Sequence, residues 1–284
     1  MSSTQSRLLL AVIILILLPA LFSCTIEKKF AREFIRNDTT RTALVIPPDY
    51  LYKTSLKDYE IENADELDEW VLDSLLYEKS IFLKYIVDSL FLANYYHNYC
   101  EELAQLGFRV YDQDSMLTFL SGNSHAYIFH LAQLELEEYL IPVVEKEEFD
   151  EYLYYQLINL NAMTLNSWLE ISSMNDEEKK NFFFSSLSLT DELDGYFRYN
   201  YFSGAVKYDY SIDSLLLNEV YQLGELAAYL YAGYTFDFLM NLYVDQRMLE
   251  EDKRRSGNYY HYNRQMNMLA PARDDEQFIQ MEEE

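Results

Sequence analysis

The alternation of apolar and polar positions changes period several times along the chain, and each change marks an element. Leu8–Phe22 is an apolar run broken only by Pro19, with Arg7 the sole charged side chain before it. Ala43-Leu44-Val45-Ile46, stopped by Pro47-Pro48, reads as a short buried strand. From Asn63, a capping residue with Glu66 three positions on, Leu67, Trp70, Val71, Leu75 and Leu76 recur at helical spacing. A longer amphipathic helix is predicted from about Ser80 to Leu106, its stripe including Phe82, Tyr85, Ile86, Phe91, Tyr96, Cys100 and Leu103. Gly107 stops it, and a strand begins at Phe108-Arg109-Val110-Tyr111. A short helical turn is expected over Asp114–Leu120.

Two long extended segments come next. In His125–Ile141 one face reads Ala126, Ile128, His130, Ala132, Leu134 and Leu136, the pattern of a strand buried on both faces early and on one face late. Tyr152–Ile171 matches it in length, and the short acidic connection Pro142–Asp150 makes an antiparallel pair the simplest topology. Phe182-Phe183-Phe184 and the Tyr-rich stretch Tyr196–Tyr210, turning near Ser203-Gly204, read as further strands. Asp213-Ser214 then caps a long helix to about Glu250, with Leu216, Val220, Leu223, Ala227, Leu230, Tyr234 and Phe238 on one face. Lys253-Arg254-Arg255 suits its carboxyl end and Gly257 its stop. Residues 256–284 read as a mostly disordered acidic tail, whose Tyr259, Tyr260, Tyr262, Met266, Met268 and Phe278 would order on contact with a partner. The expected fold class is α/β, with α+β open: a single domain over 42–255 with a mixed sheet of long strands, flanking amphipathic helices and a long C-terminal helix.

Composition narrows the function. The 284 residues carry 22 Lys and Arg against 48 Asp and Glu, a net charge of −26, and such a surface repels phosphate backbones, so no nucleic-acid partner is expected. The 7 glycines are too scattered for a phosphate-cradling loop. Neither Gly-x-Ser-x-Gly, His-Glu-x-x-His nor Cys-x-x-Cys occurs, so no catalytic residue and no cofactor is assigned. His97, Cys100 and Glu101 lie at i, i+3, i+4 and are weak metal candidates, read first as a buried Cys beside a surface pair. His130 reads as a hydrogen-bonded core histidine, while His125 and His261 fall at an element edge and in the tail. Carboxylates cluster at Glu135, Glu137 and Glu138 and at Glu145, Glu147, Glu148 and Asp150, as a chain this acidic makes by composition alone. The distinctive feature is tyrosine, 27 of them, and the stretch carrying Tyr196, Tyr199, Tyr201 and Tyr208 is the candidate ligand or partner surface, set against plain cross-strand aromatic pairing.

The apolar run ends in Leu21-Phe22-Ser23-Cys24. At about 1.5 Å per residue it is shorter than the roughly 30 Å a membrane span requires. A positive start, a short apolar stretch and a small residue before Cys resemble the lipobox of bacterial lipoprotein precursors, although Phe22 is larger than that family prefers. The resemblance implies removal of residues 1–23, diacylglyceryl transfer to the Cys24 sulfur, and anchoring through acyl chains. Residues 24–41 would then be a lipidated tether with a reach of about 20–25 Å. Thr25 is not the Asp that retains such proteins in the inner membrane, and Glu27-Lys28-Lys29 is not an acidic surface-export signal. The implied location is therefore the outer membrane, facing the periplasm. The order of elements also resembles the small α/β domain of envelope lipoproteins and the TolB amino-terminal domain. The expected role is a non-enzymatic binding or assembly component for other envelope proteins, with a glycan-binding lipoprotein as the alternative and an envelope hydrolase third.

Overall fold

A computed structural model describes residues 26–36, 41–122, 126–149, 151–174, 176–249, 258–273 and 277–281. Cys24 and its lipobox, His125, Asp150, Lys253-Arg254-Arg255 and Gly257 lie outside the described residues. The fold is α/β, as the sequence periods indicate, and the chain forms two compact units. The larger comprises Thr39–Tyr234 and Asp274–Glu284, the smaller Met1–Asp38 and Thr235–Arg273.

In the larger unit a seven-stranded mixed sheet is built from β1 (Thr42–Ile46), β2 (Leu51–Ser55), β3 (Arg109–Tyr111), β4 (Ala126–Phe149), β5 (Tyr152–Ser173), β6 (Asp176–Thr190) and β11 (Ile279–Met281). Its order is β11-β6-β5-β4-β1-β3. β1 and β2 are successive pieces of one edge: β1 runs parallel to β4 from Ala126 to His130, and β2 from Leu134 to Glu138. Pro47-Pro48, which cannot donate ladder hydrogen bonds, fall in the gap between them. The helices α2 (Glu69–Lys79), α3 (Asp88–Gln105) and α4 (Met116–Leu120) lie between strands, and the long α5 (Leu217–Arg247) follows the separate ribbon β7 (Glu192–Tyr199) and β8 (Val206–Asp213).

One sheet face is packed by helices. Tyr95 and Tyr99 of α3 are buried with stacked rings, and the Tyr95 hydroxyl shares a 3.2 Å hydrogen bond with Ser167 of β5. α5 packs on α3 where Gly224 meets the Phe91 ring, a place without room for a Cβ. At its start β4 is covered on both faces, by Phe108 against Phe129 and by Phe119 in a cluster with Leu44 and Ala126. A register shift between Leu131 and Gln133 then corrects the expected single-parity face. Phe129 and Leu131 before the bulge share the buried side with Leu134, Leu136 and Glu138 after it, because the extra residue reverses which side chains point inward.

Several local expectations yield to tertiary context. Asn63 adopts φ 57° and caps nothing, a 3-10 turn takes Ala64–Glu66, and α2 starts at Glu69 with Trp70 exposed. The long helix expected from Ser80 begins only at Asp88, because residues 81–83 give their N–H groups to a carboxylate on β4.

The smaller unit corrects the two segments read as unstructured. Residues 26–36 form α1 (Ile26–Arg36), not a tether, with Ala31 and Phe34 buried and Phe34 ringed by Phe236 and Tyr243. The tail read as disordered contains the hairpin β9 (Tyr259–Asn263) and β10 (Met268–Ala272). Beyond it, β11 completes the large sheet against β6, with Phe278 buried beside Phe183.

Candidate functional site

The sheet does not end where its neighbours do. β2 leaves β4 at Glu138 and β6 leaves β5 at Ala162, yet β4 and β5 stay paired to Phe149 and Tyr152. The last eleven residues of β4 (139–149) thus form, with β5, a two-stranded arm roughly 35 Å long at 3.4 Å per residue. Register separates its two faces. Val143 opposite Ile158, Glu145 opposite Gln156 and Glu147 opposite Tyr154 lie on one side; Val144 opposite Leu157, Lys146 opposite Tyr155 and Glu148 opposite Leu153 lie on the other.

The β7–β8 ribbon packs on the first of these faces. Tyr199 stacks on Phe149 at 5.4 Å with rings 11° from parallel, and Glu145 lies close enough to Tyr208 to act on its phenol. Burial, then the charges of Glu145 and Asp194, push that phenol above its ordinary value. Tyr208 lies over Gly195, where any Cβ would collide with the ring, and packs on Phe197 at 4.7 Å. Of the four tyrosines singled out from sequence, Tyr199 therefore joins the two ribbons, while Tyr208 packs within its own against Gly195 and Phe197. Tyr196 and Tyr201 are exposed. Tyr196 sits among charges, its hydroxyl accepting from Arg198, which pairs with Asp209 at 2.6 Å. Tyr201 is 88% exposed at the turn beside a fully exposed Phe202 that the sequence pattern left unremarked.

Among the described residues nothing packs over the second face of the arm. Val144, Leu153, Tyr155 and Leu157 are all exposed, Tyr155 at 72%, in one contiguous patch flanked by Lys146 and Glu148. Alternating apolar residues in Leu153, Tyr155 and Leu157 are the signal that marks this face.

The titratable candidates are placed elsewhere. His97 and Glu101 are exposed, 3.6 Å apart, while Cys100 turns to Tyr96, and burial pushes its thiol up to about 11. The three do not converge, and among the described residues no group of three His, Cys, Asp or Glu could hold a metal ion. His130 is a half-exposed surface residue beside Glu170, which is paired to Lys180, not a core histidine. Among the described residues, buried Glu138 is paired with Lys57, and buried Asp191 accepts from the Asn161 amide and the Leu215 N–H. In the smaller unit Asp237 is enclosed and accepts from Tyr262 N–H at 2.9 Å, with His261 Nδ1 at 2.6 Å. The Asp237 hydrogen bond, against the opposing effect of burial, raises the His261 imidazole above its ordinary value. Sequence places His261 in the tail without this partner, because Asp237 lies 24 residues upstream on α5.

Among the described residues no helix is long and apolar enough to cross a membrane. Compared with known proteins, the sequence matches no family model and no curated protein.

Proposed function

We propose that this chain is a lipid-anchored envelope protein that works as a non-enzymatic assembly component, docking another envelope protein on the bare face of the β4–β5 arm. The observation that carries the reading is the contiguous exposed set Val144, Leu153, Tyr155 and Leu157 on a two-stranded projection. Exposed apolar patches of this kind are characteristic of protein interfaces. The non-enzymatic reading is supported by the buried acids, since Glu138, Asp191 and Asp237 each accept several hydrogen bonds within the fold. Membrane placement rests on the lipobox sequence: labelled palmitate is expected to enter the wild-type chain and not Cys24→Ser.

Docking is tested by capture from detergent-solubilised membranes with wild type and the triple variant Leu153→Glu, Tyr155→Glu, Leu157→Glu. These side chains are exposed, so the thermal midpoint should hardly move, while recovery of a stoichiometric partner should fall at least about tenfold. Equal recovery, or no stoichiometric partner with wild type, would remove the reading. The glycan alternative draws on exposed Tyr196 and Tyr201. Sugar binding lost in Tyr196→Ala, Tyr201→Ala, with arm variants unaffected, would favour it instead.

A further inference from the structure

Charge is segregated between the two units. The whole chain carries 48 acids and 22 Lys and Arg, but the described part of the smaller unit reverses the sign, with seven Lys and Arg against four Asp and Glu. Three of those acids are engaged within the unit: Glu27 accepts from Tyr260 and Asn258, Glu33 from Tyr243, and Asp237 from Tyr262. Four of the cations, Lys28, Lys29, Arg32 and Arg36, sit on the eleven-residue α1.

Beside α1 is a cavity of about 380 Å³. Arg32 and Arg36, one helical turn apart, line one part of it, and Ile35, Met268 and Leu269 supply apolar wall. Tyr262, donating to Asn267 at 3.1 Å, completes the lining. Paired guanidinium groups match the oxygens of a phosphoryl group, and the adjoining apolar wall suits a hydrocarbon attached to it. The volume, near the lower end for small-molecule sites, admits a headgroup and its first methylenes rather than a whole lipid.

We infer that this cavity binds an anionic phosphoryl headgroup bearing an apolar chain, supplied by an acidic phospholipid of the membrane that anchors the protein. The inference rests on the lipid-anchor reading for its source of ligand. α1 starts two residues after Cys24. An acylated Cys24 would therefore hold the helix within about 7 Å of the headgroup layer, not on a 20–25 Å leash. This helix, with four Lys and Arg against two Glu, is then the described element nearest the bilayer, where its attraction to anionic lipid is least screened.

The test is native mass spectrometry of the full chain in an uncharged detergent, with added palmitoyl-oleoyl phosphatidylglycerol, palmitoyl-oleoyl phosphatidylcholine, or inorganic phosphate. One phosphatidylglycerol should be retained at about tenfold lower concentration than phosphatidylcholine, and Arg32→Gln, Arg36→Gln should erase that preference while the Lys variants keep part of it. Both arginines are exposed, so the variants fold. Equal retention of the two lipids, or an undiminished preference in the Gln variant, would overturn the site. Displacement of phosphatidylglycerol by equimolar phosphate would make the ligand a free anion and overturn its lipid source. Cys24→Ser should keep the preference: failed palmitate labelling with preference intact removes the anchor alone, and labelling without preference removes the site alone.

Discussion

Replacing Glu138 by Ala is expected to lower the unfolding free energy by about 3–5 kcal/mol, because it leaves a buried cation without its counter-charge. Glu138 has no solvent exposure, and Lys57 has almost none. One carboxylate oxygen accepts from Lys57 Nζ at 2.8 Å and Ile81 N–H at 2.7 Å, the other from Phe82 N–H at 2.8 Å and Leu83 N–H at 3.2 Å. Removal leaves Lys57, among the described residues, with the Asn161 side-chain oxygen Oδ1, 3.1 Å away, and orphans three backbone donors. Lys57→Met with Glu138→Leu should recover part of the loss, since an apolar pair needs no counter-charge, but not the share owed to the backbone donors. Urea titration of the three chains checks this; a Glu138→Ala unfolding free energy within about 1 kcal/mol of wild type would show that the segment 80–87 does not depend on the carboxylate.

Asp237→Ala should cost about 2–4 kcal/mol at pH 6 and less at pH 9. Two components separate with pH. The orphaned Tyr262 N–H is a constant loss, while the pairing with His261 titrates. Because the folded imidazole is raised above 6.5, its stabilisation is complete below that ordinary value and disappears as pH climbs through the raised one. The His261 side chain is 38% exposed, so solvent screening keeps the titrating part the smaller of the two. His261→Gln should flatten the wild-type pH profile above 6.5 without reproducing the constant loss. Denaturant midpoints measured across that range test it, and a wild-type stability that rises with pH through this window would contradict the assignment.

Much of the fold was legible because its signals are local. Pro47-Pro48 and the Gly107 stop are punctuation the backbone obeys wherever it occurs, and Gly107 does take a positive φ of 92°. The length of Tyr152–Ile171 and the helical periodicity between Asp213-Ser214 and Glu250 gave strand and helix correctly, observed as Tyr152–Ser173 and Leu217–Arg247. Residues 26–36 were misread because their charges obscured a repeat carried by Phe30 and Phe34, and an eleven-residue helix is stable only where something covers its apolar side. The tail was misread for a similar reason: Tyr260 and Phe278 look like scattered aromatics until the chain returns to bury them.

The candidate sites were less legible than the fold. Glu135, Glu137 and Glu138 are near-identical in sequence context, yet only Glu138 is fully enclosed, and its Lys57 partner is 81 residues away. The tyrosine-rich stretch announced an aromatic ribbon, but alternation fixes only that successive side chains point to opposite sides, not which side another ribbon will cover.

By itself the amino-acid order determined the kinds of element, their sequence along the chain, the α/β class and the strongly acidic character, since dihedral preference and hydrophobic period act over a few neighbours. The tertiary structure alone decided that Tyr199 stacks on Phe149, that Leu153, Tyr155 and Leu157 are exposed, that His261 meets Asp237, and that Arg32 and Arg36 line one cavity. Each of these depends on which distant segment arrives opposite, and burial, charge pairing and open surface are properties of that meeting.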